Sequence, residues 1–367
     1  MIFLITIIII IDGRIRCTYN TGNVLRKEGN SVASILSTRF QKTAVLIAGM
    51  VILLVAMGAS ILYGLQNFPI STAIQAYTGF DGSNEHLIIQ HTRFPRAITA
   101  AFVGGSLAVA GALLQALTRN PLASPSIFGI NSGAALLIVL ALYLFGSIFS
   151  FRELMWVGFI GAGLTALFVY LLGSAGRGGM SPVKVTLAGA AVAAFASSLT
   201  SLLMLIDNVT LDEALYWLVG SVSGRDLRHA LMILPYLVGG WLLAVLLAKS
   251  LNIMSLGDDV AKSLGQKTVW VKSAVVIVVV LLAGGSVALT GPIGFVGIMI
   301  PHICRYLIGI DHRWLIPYCI VFGAIFLVLA DLISRFLLMP EEVPVGVATA
   351  VVGVPFVIAI VRRRAYE

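Results

Sequence analysis

The chain has 367 residues, of which 59% are hydrophobic and only 11% charged, with a formal net charge of +8. Its mean hydropathy is +1.01. A soluble domain carries about a quarter charged residues, and a fold of this length has too little interior to hide so much apolar surface, so composition excludes a water-soluble protein.

In lipid every backbone polar group must be satisfied within the chain, which leaves helices or closed barrels. The apolar stretches are long and continuous, not alternating, and that selects helices. The fold class read from the sequence is all-α: a polytopic membrane protein of about ten transmembrane helices, both termini cytoplasmic.

The first element is irregular. Residues 2–11 form an apolar run shorter than the ~20 residues that a spanning helix needs. Asp12 to Lys42 is polar and basic. A basic n-region and a small-residue cleavage site are both missing, so this is not a signal peptide. It reads as an upstream extension from a misassigned start codon or as an interfacial segment. Residues 1–43 are set apart as an N-terminal extension with no assigned function.

Ten spans follow, near 44–66, 94–117, 127–148, 154–173, 184–206, 230–249, 269–290, 293–309, 315–337 and 343–361. The second carries Gly104, Gly105, Ala108, Gly111 and Ala112. Small residues let membrane helices approach closely, so this span is expected inside the bundle. With both termini cytoplasmic, Arg93, Arg96, Arg152, Arg225, Arg228 and Arg335 lie outside and the other 18 of the 24 Lys and Arg lie inside. That bias obeys the positive-inside rule. The basic balance therefore reports topology, and no nucleic-acid partner is expected.

No glycine-rich phosphate loop with Lys and Ser/Thr occurs, so the chain does not bind ATP by that route. His86, His91, His229, His302 and His312 are scattered, and with Cys17, Cys304 and Cys319 they give no metal-ligand spacing. No nucleophile and base announce themselves. The expectation is a chain that is not an enzyme by itself and binds no cofactor or metal directly.

Three stretches say more. Arg93-Phe94-Pro95-Arg96 runs into AITAAFVGGSLAVAGALLQALTRNPLASPSIFGINSGA; Leu256 to Gly265 reads LGDDVAKSLG; and Gly291 to Arg305 reads GPIGFVGIMIPHICR, followed by Glu342-Val343-Pro344-Val345-Gly346 and Gly353-Val354-Pro355-Phe356. Together they closely resemble the permease family that imports iron–siderophore complexes, haem and cobalamin by ABC transport, over roughly residues 44–364. The resemblance implies a ten-span subunit of the bacterial cell membrane that pairs with a second permease chain, identical or related. It also implies two cytoplasmic ATPase subunits, which use the ATP, and an extracytoplasmic substrate-binding protein.

The loop at 250–268 has a physical reading of its own. Gly257 and Gly265 bracket a short amphipathic helix, with Asp258 and Asp259 at its N-terminus, where the helix dipole favours negative charge. Val260, Ala261 and Leu264 are expected to share one small apolar face, and Gly265 suits a C-terminal cap. On the residues alone this is a capped surface helix. The resemblance makes Leu256, Gly257, Asp258, Asp259, Val260, Ala261, Leu264 and Gly265 the helix that couples to the ATPase.

The outer arginines run against the charge bias. Snorkelling to the headgroups is one reading. The resemblance implies another, in which Arg93, Arg96 and Arg335 receive acidic residues of the binding protein; charge pairs of that kind set register and on-rate. Arg225 and Arg228 are weaker candidates. Asp331 is an intramembrane carboxylate, a functional candidate by default, but its i, i+4 spacing to Arg335 favours a local ion pair.

The fifth span is rich in small residues, including Ala190, Ala194, Ser197 and Ser198. Tight packing and a pathway lining are both compatible with that composition. The resemblance implies that the fifth and tenth spans line the pathway, which adds Gly346 and Thr349 as candidates. Asp207 to Gly224 is expected to form a short outer helix near the entrance. The function expected is import of an iron–siderophore chelate; cobalamin or haem is the alternative cargo. An ion-coupled secondary transporter is disfavoured, because Asp331 is the lone deep carboxylate and has an arginine neighbour.

Overall fold

The structure is a computed structural model that describes residues 35–175 and 181–364. Among them the regular structure is helical, apart from one isolated bridge between Leu338 and Glu341. Seven helices are long and apolar enough to cross a membrane, and three shorter apolar helices accompany them.

In chain order the helices are α1 Arg39–Leu62, the short α2 Ile70–Thr78, α3 Asn84–Thr118 and α4 Ile130–Phe145. Next come α5 Phe151–Ser174, α6 Pro182–Ile206, the short α7 Asn208–Leu218 and α8 Leu227–Met254. The series closes with α9 Asp258–Ser263, α10 Thr268–Thr290, α11 Val296–Ile308, α12 His312–Ser334 and α13 Val345–Arg364. The ten expected spans correspond in order to α1, α3, α4, α5, α6, α8, α10, α11, α12 and α13. Ten crossings return the chain to the end at which it began. That end carries Arg119, Asp258 and Arg305 and is called the inner end, following the charge bias; the opposite end is the outer one.

Local sequence sets the helix starts. Thr38 and Gln41 form a capping box at α1, and Ser150 and Glu153 form another at α5. Asp226 and Asp311 cap α8 and α12 with their carboxylates. Each cap satisfies backbone N–H groups that a helix start leaves unpaired. α1 begins five residues before the expected 44 because Thr38 supplies the cap. Of the expected extension at 1–43, residues 1–34 lie outside the described residues, whereas the Leu36 N–H donates to the Leu307 carbonyl at 2.9 Å.

α3 is the axis of the bundle. Its apolar window is 89% buried, against 17% for α1. It is also longer than the expected 94–117, running without a break from Asn84. Pro95 has no N–H to donate to residue 91, and the turn before it, Ile89–Arg93, widens to a π-helix. The expected close packing through small residues is present. A Cβ on Gly104 would stand 2.3 Å from the Gly323 carbonyl oxygen, so α3 and α12 meet backbone to backbone.

α11 is the main departure. Its 13 residues are too short to cross alone. Gly291 to Phe295 enters the bundle as a non-helical segment, with Gly291, Ile293 and Val296 buried. Irregular backbone at this depth is tolerated where protein covers it. The outer ends of three helices are stitched at this point: the Ser221 N–H donates to the Thr290 carbonyl at 2.8 Å, and the Gly346 N–H to that of Gly220 at 3.1 Å. The expected outer helix is α7, capped by Asp207. The Thr210 hydroxyl and the Thr210 and Val209 N–H groups hold that carboxyl below its ordinary range.

Candidate functional site

At the outer end the three expected arginines come together, but inside the chain. Arg93, Arg96 and Arg335 are 7%, 4% and 2% exposed. Arg96 donates through Nε to both Asp331 oxygens at 3.0 Å, and through Nη1 to Glu342 at 2.6 Å and to the Ser223 hydroxyl at 3.3 Å. Arg335 pairs with Asp331 at 2.6 Å, the expected i, i+4 bond, and also donates to the Ser60 carbonyl at 2.7 Å. Arg93 donates to the Ile61 and Leu62 carbonyls, each at 2.9 Å, and lies over the Phe68 ring.

Two of these cations therefore complete the C-terminus of α1, where unpaired carbonyls and the negative dipole end favour positive charge. This corrects any picture of the three side chains as exposed or snorkelling. Glu342, with a third of its side chain exposed, is the accessible member of the cluster. It heads the Glu-Val-Pro-Val-Gly stretch, yet its role as the partner of Arg96 was not foreseen. Arg225 is also buried, over the Phe151 ring at 4.3 Å, whereas Arg228 is exposed.

At the inner end α9 runs between Gly257 and Gly265, whose φ angles of +121° and +77° lie in the region that favours glycine. The expected single apolar face is corrected. Ala261 is fully buried against the bundle, while Val260 and Leu264 are 46% and 64% exposed on the other side. Leu256, also 64% exposed, joins that outward apolar surface. The cause is the i, i+1 spacing of Val260 and Ala261, which sends the two side chains to different sides of the helix. Asp259 is fully exposed, with Lys262 3.9 Å away. Asp258 is bonded to Arg119 at 2.7 Å and to Lys272 at 2.6 Å. Neither cation was singled out from the sequence; nothing local marks a contact across 139 residues.

The pathway candidates divide. Ala190, Ala194, Ser197 and Ser198 are exposed together on one face of α6, the i, i+4, i+7, i+8 pattern of a single stripe. Gly346 and Thr349 are not part of an open lining. Thr349 is fully buried and donates to the Gly346 carbonyl at 2.9 Å, and a Cβ on Gly346 would lie 2.3 Å from the Val219 carbonyl oxygen. The N-terminus of α13 is packed against the stretch after α7, which turns Thr349 inward. Among the described residues no group of His, Cys, Asp and Glu could hold a metal ion, and Cys304 and Cys319 are buried and free.

Residues 52–363 match the FecCD transport family. The chain belongs to that family. It is 49% identical over 324 residues to the Probable siderophore transport system permease protein YfiZ of Bacillus subtilis, covering 88% of this chain and 97% of that one. It is 40% identical to the Fe(3+)-citrate import system permease protein YfmD of the same organism, covering 86% and 94%. It is 39% identical to the Ferric enterobactin transport system permease protein FepD of Escherichia coli, covering 88% and 96%. A solved chain described as an inward-facing metal-chelate type ABC transporter superposes with a TM-score of 0.76 at 29% identity, covering 88% of this chain and 99% of that one. As a FecCD family member the chain is a multi-pass membrane transport subunit.

Proposed function

We propose that this chain is the permease subunit of an ABC importer that carries a ferric chelate of the siderophore type into the cytoplasm. ATP hydrolysis on a separate subunit drives the cycle. The observation that carries the reading is α9: a glycine-bracketed helix at the inner end with Leu256, Val260 and Leu264 exposed. An apolar surface of that kind fits a groove on a cytoplasmic partner. The cargoes named for the three relatives above, a siderophore, ferric citrate and ferric enterobactin, support the substrate class.

The exposed stripe Ala190, Ala194, Ser197 and Ser198 lets α6 serve as a lightly clad pathway wall beside a second permease chain. Docking of an extracytoplasmic binding protein at Arg96 takes the form of an exchange. A carboxylate on that protein replaces Glu342, while Arg93 and Arg335 hold the end of α1 in place.

The test is purification of the tagged chain in mild detergent from its own membranes, followed by reconstitution in vesicles. The expected result is a complex holding an ATPase subunit, whose hydrolysis rises when binding protein loaded with ferric chelate is added. A chain that purifies without an ATPase and moves ferric chelate under an ion gradient alone overturns the reading.

A further inference from the structure

Asp258 sits where three elements meet. It is the first residue of α9; Arg119 is the residue that ends α3; Lys272 lies in the first turns of α10. The carboxylate takes one cation on each oxygen, Arg119 on Oδ1 at 2.7 Å and Lys272 on Oδ2 at 2.6 Å. The Lys272 side chain is 11% exposed, Arg119 46% and Asp258 33%. Lys272 is therefore largely removed from water, and an ammonium in that setting needs an anion close by. A shielded bridge of this kind is also less screened by salt than an open surface pair.

Ala261 is the one buried residue of α9, and glycines with positive φ stand at both ends. The Asp258 carboxylate ties its N-terminus to the bundle. The two helices it reaches matter for what happens next. α3 is the buried axis and meets α12 through Gly104 and Gly323. α10 runs to Thr290 at the outer end, where its terminal carbonyl accepts from Ser221 just after α7.

We infer that Asp258 is a positioning residue: it locks the coupling helix to α3 and α10 through Arg119 and Lys272, so that a push on α9 moves both helices instead of being absorbed at the Gly257 and Gly265 joints. The inference rests on the ABC reading above and adds how force leaves the coupling helix. The outward face of Leu256, Val260 and Leu264 makes the contact with the partner, and the inward Asp258 bridge passes the movement on.

The test uses the complete complex with its ATPase and binding-protein partners in vesicles, comparing wild type with Lys272→Met, Arg119→Gln, Lys272→Arg and the double variant Lys272→Met with Asp258→Asn. Membrane amount, ATPase co-purification and ferric chelate moved per ATP hydrolysed are read for each. The expected result is that Lys272→Met keeps its ATPase subunit and still hydrolyses ATP, but moves at least tenfold less chelate per ATP. Arg119→Gln falls by a smaller factor, in line with its exposure. Lys272→Arg, which keeps the cation, restores at least half of the wild-type ratio. The double variant falls below Lys272→Met alone by no more than the Arg119→Gln factor, since Asp258→Asn adds only the loss of the Arg119 bond to a Lys272 bridge that is already broken.

An Lys272→Met complex that is less abundant or melts earlier, yet moves wild-type amounts of chelate per ATP, shows a merely structural contact and overturns the inference. A Lys272→Met complex that loses its ATPase subunit overturns it too, by making the bridge part of docking. In both cases a wild-type complex that couples leaves the importer reading standing. A wild-type chain that carries no ATPase sinks both.

Discussion

Arg96 on α3 and Asp331 on α12 form a bidentate ion pair at the outer end, with contacts of 2.9 to 3.0 Å between side chains 5% and 1% exposed. The same carboxylate also holds Arg335. One anion thus neutralises cations from two directions and ties together the two most intimately packed helices of the bundle.

Removing that anion is costly. Asp331→Asn leaves Arg96 with Glu342 and leaves Arg335, still buried, without its carboxylate partner. Breaking a buried pair in this way costs about 3–5 kcal/mol. The expected outcome is a large drop in membrane amount and in thermal stability in detergent, measured by fluorescence-detected size exclusion after heating. Glu342→Gln, at the accessible rim of the cluster, is expected to leave stability near wild type.

The crossing of α3 and α12 is equally strict. Gly323→Leu must place a side chain where a Cβ alone would stand 2.5 Å from the Gly104 carbonyl oxygen. Overpacking of a close contact costs at least about 1–3 kcal/mol. Gly58→Ala on α1, where a Cβ meets nothing within 4 Å, is the control. It is expected to leave melting unchanged or slightly raised, because Ala is the better helix former.

Much of this bundle was legible from the sequence. The ten spans follow from the length of each apolar run, because lipid thickness admits one solution. The buried position of α3 follows from Gly104, Gly105 and Gly111, and the Asp331–Arg335 pair from its i, i+4 spacing. Contacts between distant residues were not legible. Arg96 meets Asp331 across 235 positions, and Asp258 finds Arg119 and Lys272 only once α3, α9 and α10 are placed side by side. The burial of Arg93 and Arg335 was not legible because both donate to carbonyls at the end of α1, and a backbone carbonyl leaves no mark in a sequence. Thr349 was a pathway candidate through the resemblance alone, and nothing local records how α13 packs against Gly220.

Acid should loosen the inner end. Burial acts to raise the Asp311 carboxyl, but the Arg313 N–H and the Asn252 amide outweigh it and hold it below the ordinary carboxylate range. A depressed folded pKa means that the stabilisation is fully present above the unfolded value, about 3.9, and is lost as pH falls through the folded one. Asp311→Asn keeps a helix cap but removes the titration. The expected result is a melting temperature that declines less between pH 6 and pH 3 (test conditions) in the variant than in wild type.

The exposed stripe on α6, proposed above as a pathway wall, can be probed directly. Ser197→Trp puts a large side chain on an exposed face and is expected to abolish uptake of ferric chelate without lowering the amount in the membrane. Thr349→Trp, at a fully buried position, is expected to lower the amount itself. Immunoblots of membranes alongside uptake assays separate the two.

The central claim is that this chain carries ferric chelates inward through a partner docked on α9. The most direct measurement is uptake of radiolabelled ferric siderophores and ferric citrate in cells lacking the gene, complemented with wild type or with Leu264→Glu, which places a charge on the exposed apolar face of α9. The account predicts that wild type restores uptake of one chelate class, and that Leu264→Glu, present in the membrane in equal amount, does not. Normal entry of every ferric chelate in the deletion strain, or wild-type uptake by Leu264→Glu, would contradict it.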